Sequence, residues 1–313
     1  MTLLERFFGS RDDVPEWARF FQPAGYRAFL DAVRADMDRR GLAYELGEGT
    51  LRTAAPGEES ADYGLLNLAQ LCNATEPAEW SRTIARHFDS AFGCGRESDE
   101  VDARSGSLET VRPFLKVRLY HADYLEQVGA DRLVHRMPAE GLVETLVYDL
   151  PGSVRSVPPD HARRWGLDDA ELFRIALENV RAEGRPQTQS FDAEGGAAFH
   201  ALVGDSFFTA SHALFLEDYL DPVPPHGALV AVPHRHAVLY HAIVDMRVIL
   251  AIQSMIPVAF GMYQEGPGSV SAGLYWWRPG RLTYLPTKVR ANSVDFSPPD
   301  EFVDEVLNRL PEK

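Results

Sequence analysis

Lysine is nearly missing from this chain. Lys116, Lys288 and Lys313 are the only three among 313 residues, and arginine supplies the rest of the 31 basic side chains. Against them stand 46 Asp and Glu, a net charge of −15. Nucleic acids and anionic membranes are both recognised through basic patches, so this surplus argues against either as a partner. It favours solubility or a basic protein partner. Cysteine is scarce too. Cys72 and Cys94 are the whole complement and no C-x-x-C occurs, which excludes a disulfide framework and predicts reduced, partly buried thiols. The longest apolar run, Val248 to Tyr263, has 16 residues and contains Gln253 and Pro257. A bilayer span needs about 20, so a buried core helix is expected there. The first residues, MTLLERFFGSRDDVPEW, carry charge too early and too often for a signal peptide. A cytoplasmic location is the expectation.

The signatures of several enzyme classes are also missing. Gly261, Gly266, Gly268 and Gly273 do not form G-x-G-x-x-G, and no phosphate loop of the GK[ST] kind exists. Gly204-Asp205-Ser206 and Ala210-Ser211-His212 are not the G-x-S-x-G elbow. The acidic pairs Asp99-Glu100, Asp168-Asp169 and Glu217-Asp218 are sequence neighbours, which do not face one another on a helix or strand. No cofactor is expected.

What is present is an ordinary globular composition, 45% hydrophobic and 25% charged, long enough for one large domain or two moderate ones. The organising stretch is Gly141 to Arg181. Leu142 to Leu150 has strand composition and ends at Pro151-Gly152. Ser153 to Val157 is a second short run. Asp168 then stands as an N-cap, with Glu171 three residues later to complete a capping box. Leu172, Phe173, Ala176, Leu177 and Val180 follow at helical spacing.

Before this stretch, Pro15 to Arg40 predicts a helix closed by Gly41, then a hairpin across Gly47-Glu48-Gly49. A further helix carries Trp80, Ile84, Phe88 and Phe92. Residues 1–95 thus read as a small N-terminal α+β module. Residues 96–110, within the polar segment from Gly93 to Thr110, read as a linker or a long loop, and 111–313 as a larger α+β domain. In that domain Gln187 to Phe191 pairs with Ala197 to Val203 across the Asp192–Gly196 turn. Phe207 to Leu220 is expected to be helical, and Ala228 to Val232 and Ala237 to Val244 flank a Pro233–His236 turn. Val270 to Trp277 and Leu282 to Leu285 flank Pro279-Gly280. The fold expected is α+β, with mostly antiparallel sheets and strand pairs separated by single helices.

Two sets of residues are candidates for function. Six of the ten histidines lie between His200 and His241. His234 and His236 are two apart and would share a face if they lay on a strand, and with Asp245 or Asp205 they would make a metal site for a hydrolase if tertiary structure brought them together. Tyr275, Trp276 and Trp277 put adjacent rings on opposite faces of a strand, so an exposed one would mark a partner-binding surface.

Trp165-Gly166-Leu167 with Glu171 to Arg181, Gly204-Asp205-Ser206-Phe207-Phe208-Thr209-Ala210-Ser211, and Leu229-Val230-Ala231-Val232-Pro233-His234-Arg235 together resemble the YtpQ-like bacterial proteins, a domain family without assigned activity. The resemblance covers about residues 110–290. It implies a cytosolic bacterial protein and carries over no catalytic residue. With no chemical constellation in view, the leading expectation is a non-catalytic interaction module: an adaptor, a chaperone-like binder or an immunity-type inhibitor. The metal-dependent hydrolase and a small-molecule sensor are the alternatives.

Overall fold

The structure, a computed structural model, describes residues 14–54, 60–151, 153–192, 196–290 and 293–311. The charged N-terminal stretch up to residue 13, Gly152, residues 193–195 of the Asp192–Gly196 turn, and Lys313 lie outside the described residues, as do the side chains of Cys94 and Lys288. The fold is α+β, and every strand pairing among the described residues is antiparallel. No helix among them is long and apolar enough to cross a membrane. The chain divides into two compact units: residues 1–99 with 151–153 and 265–267, and residues 100–150 with 154–264 and 268–313.

The first unit begins with helix α1, Pro23–Arg40, whose Phe29, Val33 and Met37 are fully buried. Gly41 ends it at φ 68°, with Gly41 N–H donating to Asp38 O and Leu42 N–H to Met37 O, the paired bonds of a Schellman motif. Strands β1 (Tyr44–Leu46), β2 (Thr50–Ala54) and β3 (Ser60–Gly64) form one sheet. Helices α2 (Leu66–Asn73) and α3 (Trp80–Arg104) close the core with Leu68, Cys72, Trp80, Ile84 and Phe88. Cys72 is a buried free thiol, and that burial pushes its pKa up to about 12. The segment expected as a linker or loop is helical, although the boundary between the two units falls inside it, at residues 99 and 100. α3 runs without a break through the polar segment to Arg104, and α4 (Leu108–Val111) follows. Glycines and serines there hide a helix that is anchored in the second unit by Val101, 3% exposed, and by the Asp102–Arg155 ion pair at 2.7 Å.

The second unit holds a four-stranded sheet, a six-stranded sheet and a separate hairpin. β4 (Leu115–His121), β5 (His135–Ala139), β6 (Leu142–Asp149) and β7 (Val154–Ser156) make the smaller, in which β6 is buried from Leu142 to Tyr148. The short helices α5 (Tyr124–Val128) and α6 (Pro159–Arg164) flank these strands in the chain. Helix α7, Asp169–Ala182, covers the sheet with Leu172, Phe173, Ala176 and Val180. Its N-cap is Asp168, whose Oδ1 accepts from Glu171 N at 2.8 Å. The capping box is only half formed, because the Glu171 carboxylate turns to Arg174 instead.

The larger sheet has the order β13-β12-β10-β11-β9-β8, from β8 (Gln187–Asp192), β9 (Ala198–Val203), β10 (Ala228–His234), β11 (Ala237–Ala242), β12 (Leu274–Arg278) and β13 (Arg281–Leu285). One face packs on helix α8, Val248–Glu265, and on the C-terminal turns that start with α9, Asp300–Phe302. The other packs on Ala210, Ala213, Leu216 and Leu220, together with Leu119 and Leu142 of the smaller sheet. The expected helix over Phe207 to Leu220 is instead a run of 3-10 turns, Thr209–Tyr219, broken at Phe215 (φ −136°, ψ 51°). A hairpin of β14 (Thr287–Arg290) and β15 (Ser293–Phe296) pairs with neither sheet, and its Phe296 packs on the α8 side of the core.

This double cover decides the aromatic set. Tyr275, Trp276 and Trp277 are 0%, 1% and 1% exposed. Trp276 enters the α8 face of the core, Tyr275 and Trp277 the opposite face. Their polar atoms are used inside: Trp276 Nε1 donates to His226 O at 2.7 Å and Tyr275 Oη meets Ser271 Oγ at 2.8 Å. They are core residues and not a partner surface.

Candidate functional site

A cleft of about 620 Å³ opens in the second unit where α7 ends and the β10–β11 turn begins. Its polar lining includes Glu183, Arg185, Ser206, His212, His234 and His236. The chain reaches this place by two turns. Gly184 (φ 104°) and Pro186 redirect it from α7 into β8, and the β10–β11 hairpin turns at Arg235-His236 with His234 paired to Ala237. His236 falls in the turn expected at Pro233–His236, so the two histidines share no strand face. Their rings nonetheless stay close, with centroids 6.3 Å apart.

Each imidazole is held neutral by burial. His236 Nδ1 faces Gly204 O at 3.0 Å, and its Nε2 accepts from Arg235 Nε at 2.9 Å. Only the tautomer with hydrogen on Nδ1 satisfies both contacts. Burial, then the Arg235 charge, brings its pKa down to about 4. His234 Nδ1 accepts the His236 backbone N–H at 3.2 Å, which leaves its Nε2–H as a donor. Burial, followed by His236 and Arg235, lowers it to about 4 as well. His212 is 3% exposed, pairs through Nδ1 with Tyr219 Oη at 2.5 Å, and is lowered to about 4, first by burial.

The carboxylate at the rim is already engaged. Glu183 accepts from Ser206 Oγ at 2.8 Å and from Lys116 Nζ, which also reaches Asp149 at 2.5 Å. Ser206 Oγ accepts Phe208 N–H at 3.1 Å, a local turn bond. The hydroxyl is thus oriented by a carboxylate that is itself paired with the Lys116 ammonium. Two serine–histidine contacts lie outside the cleft: exposed Ser190 Oγ meets His200 Nδ1 at 2.9 Å, and buried Ser105 Oγ meets His161 Nε2 at 3.4 Å while donating to Asp102 O at 2.8 Å.

The structure does not assemble the metal set His234, His236 and Asp245. His236 Nε2 points at a guanidinium, where no cation can sit beside it. Asp245 lies beyond β11 and is held by Arg247, with Nε 2.9 Å from both carboxylate oxygens and Nη2 at 2.6 Å. Those bonds draw its pKa below the usual carboxylate range. No group of three or more His, Cys, Asp or Glu able to hold a metal occurs among the described residues. Asp205, the other acidic candidate, is an exposed residue on the cleft lining. Sequence reasoning missed Glu183 and Tyr219 at this site. Glu183 looks like an ordinary helix-end acid, and nothing in the spacing announces the Tyr219–His212 contact.

No protein-family model, curated protein or solved structure matches this chain.

Proposed function

We propose that this chain is a non-catalytic binding protein whose ligand is a small polar molecule. The cleft carries this reading: its volume of about 620 Å³ lies within the range of small-molecule sites, and three neutral imidazoles line it. Neutral rings offer N–H donors and lone pairs without the desolvation penalty of a charge, which suits recognition more than proton transfer near neutrality. The YtpQ-like resemblance and a cytoplasmic location belong to the same reading. The test is mass spectrometry of small molecules released from the purified full chain, beside His234→Leu and His212→Phe. A stoichiometric compound lost in both variants supports the reading. Recovery of nothing, or of the same compound from all three proteins, sinks it.

A second reading, a protein-interaction module, has its own support in β8. This edge strand is exposed at all six positions and pairs with β9 without a register shift. It carries no lysine, proline or bulge, the usual guards of a sheet edge, so a partner's strand has a template there. Affinity purification with Gln189→Pro tests it. A partner retained by the variant as well as by the wild type would rule out the edge.

A further inference from the structure

Buried positive charge in this protein normally has a carboxylate beside it. Five arginines among the described residues are half-buried: Arg40, Arg118, Arg155, Arg235 and Arg278. Arg40 meets Asp36 at 2.6 Å, Arg155 meets Asp102 at 2.7 Å, and Arg278 meets Glu301 at 2.7 Å. No carboxylate of the described residues lies within 4.0 Å of Arg118 or Arg235. Arg118 Nε is buried without a hydrogen-bond partner. The side-chain bond of Arg235 goes to neutral His236.

These two cations share one small region. Both guanidinium groups lie against the Phe207 ring, Arg235 at 4.9 Å and Arg118 at 5.7 Å from its centroid. Arg118 also sits over Tyr120 at 4.7 Å, and Tyr120 stacks on Tyr124 at 4.1 Å. Arg235 lies along Gly268, where a Cβ would come within 2.9 Å of its Cδ. Arginine does not shed its proton, so two like charges meet one aromatic ring in a partly desolvated place. Burial lowers the Arg235 pKa to about 10, with the Arg118 charge as the next cause. Aromatic faces compensate a cation only in part. A pair of forks with free N–H groups is what an oxyanion requires.

We propose that Arg118 and Arg235 form a binding site for the phosphate group of a small phosphorylated molecule, seated beside Phe207. Charge selects phosphate. Two guanidinium groups match a dianion, whereas a carboxylate would neutralise only one of them. Polymeric phosphate is disfavoured, because a chain of net charge −15 repels nucleic acid away from the contact itself. The site adjoins the histidine cleft through His236 but does not depend on the cleft reading. Substitutions at His212 and His234 test that reading, and substitutions at the arginines test this one.

The experiment is calorimetric titration of the full chain with inorganic phosphate at mildly alkaline pH, with ionic strength held constant by sodium chloride. Acetate is the monoanion control. The proteins are wild type, Arg118→Gln, Arg235→Gln, Arg235→Lys and the exposed control Arg163→Gln, each checked for folding by circular dichroism. Expected is saturable phosphate binding, weakened roughly ten- to a hundredfold in each glutamine variant and unchanged in R163Q. Arg235→Lys keeps the charge but loses the fork, so its affinity should fall between. Should Arg118→Gln fail to fold, the two Arg235 variants decide alone. Heat no different from added chloride, acetate binding as well as phosphate, or glutamine variants that bind like wild type would each overturn the proposal.

Discussion

Arg235 Nε donates to His236 Nε2 at 2.9 Å, across a ring whose Nδ1 faces the Gly204 carbonyl at 3.0 Å. A proton on Nε2 would meet the guanidinium N–H head-on, so His236 is held as the Nδ1–H tautomer. Long-range ¹H–¹⁵N NMR should show that tautomer from about pH 5 to 8. In Arg235→Gln the pKa should rise from about 4 towards the ordinary histidine value, since the Arg235 charge is the second cause of its depression. A ring that titrates near 6.5 in the wild type would contradict the geometry.

The three cleft histidines make the fold sensitive to acid. His212, His234 and His236 each have a folded pKa of about 4, below the ordinary 6.5. The unfolded chain therefore binds more protons between these values, and stability falls as pH drops from about 6.5 towards 4. By linkage the loss approaches roughly 2 kcal/mol per ring at about pH 5. Urea unfolding at about pH 7.5 and pH 5 measures it. His212→Gln should shrink the difference, and an identical pH response in that variant would count against a buried neutral His212.

Trp276 is a structural residue. Trp276→Ala should destabilise the chain by about 3–5 kcal/mol, through the cavity left between the sheet, α8 and Phe302. Trp276→Phe fills most of that space but leaves His226 O without its donor, and should cost less. Chemical denaturation checks both. Loss of a ligand or partner at unchanged stability would restore a binding role.

Glu144 is 1% exposed and takes a two-point bond from Arg136, at 2.6 and 3.0 Å. Arg136 is itself 44% exposed, so water reaches the pair. Arg136→Ala should cost about 2–3 kcal/mol near neutral pH, because it strands a buried carboxylate. Burial already raises the Glu144 pKa. The variant should raise it further, so the penalty is present above that pKa and is relieved as pH falls through it. Adding Glu144→Gln should recover much of the loss. Urea unfolding of the single and double variants measures this coupling, and equal losses in both would refute it.

The cap of α7 separates two neighbouring acids. Asp168→Ala should cost about 1 kcal/mol, since Asp168 Oδ1 accepts from Glu171 N. Glu171→Ala should change stability far less, because its carboxylate pairs with exposed Arg174 and not with the cap backbone. Thermal unfolding of the two variants ranks them, and the reverse order would mean the capping box closes in solution.

Local chemistry determined a good deal of this protein from its sequence. The α+β class, the Asp168 cap, the Gly41 stop and the apolar stripe of α7 all follow from interactions within a few residues, so they were legible. Tertiary structure decided the rest. Helix α3 crosses a glycine- and serine-rich stretch because Val101 is buried, a contact no local composition announces. Tyr275, Trp276 and Trp277 vanish into the core because layers cover both faces of one sheet, and a strand pattern cannot say what packs on it. The site depended most on the fold. His212, His234 and His236 draw their neutrality from burial, and Arg118 comes to the same Phe207 ring as Arg235 from a strand more than a hundred residues earlier. Desolvation and charge proximity act through space, and only the folded chain sets those distances.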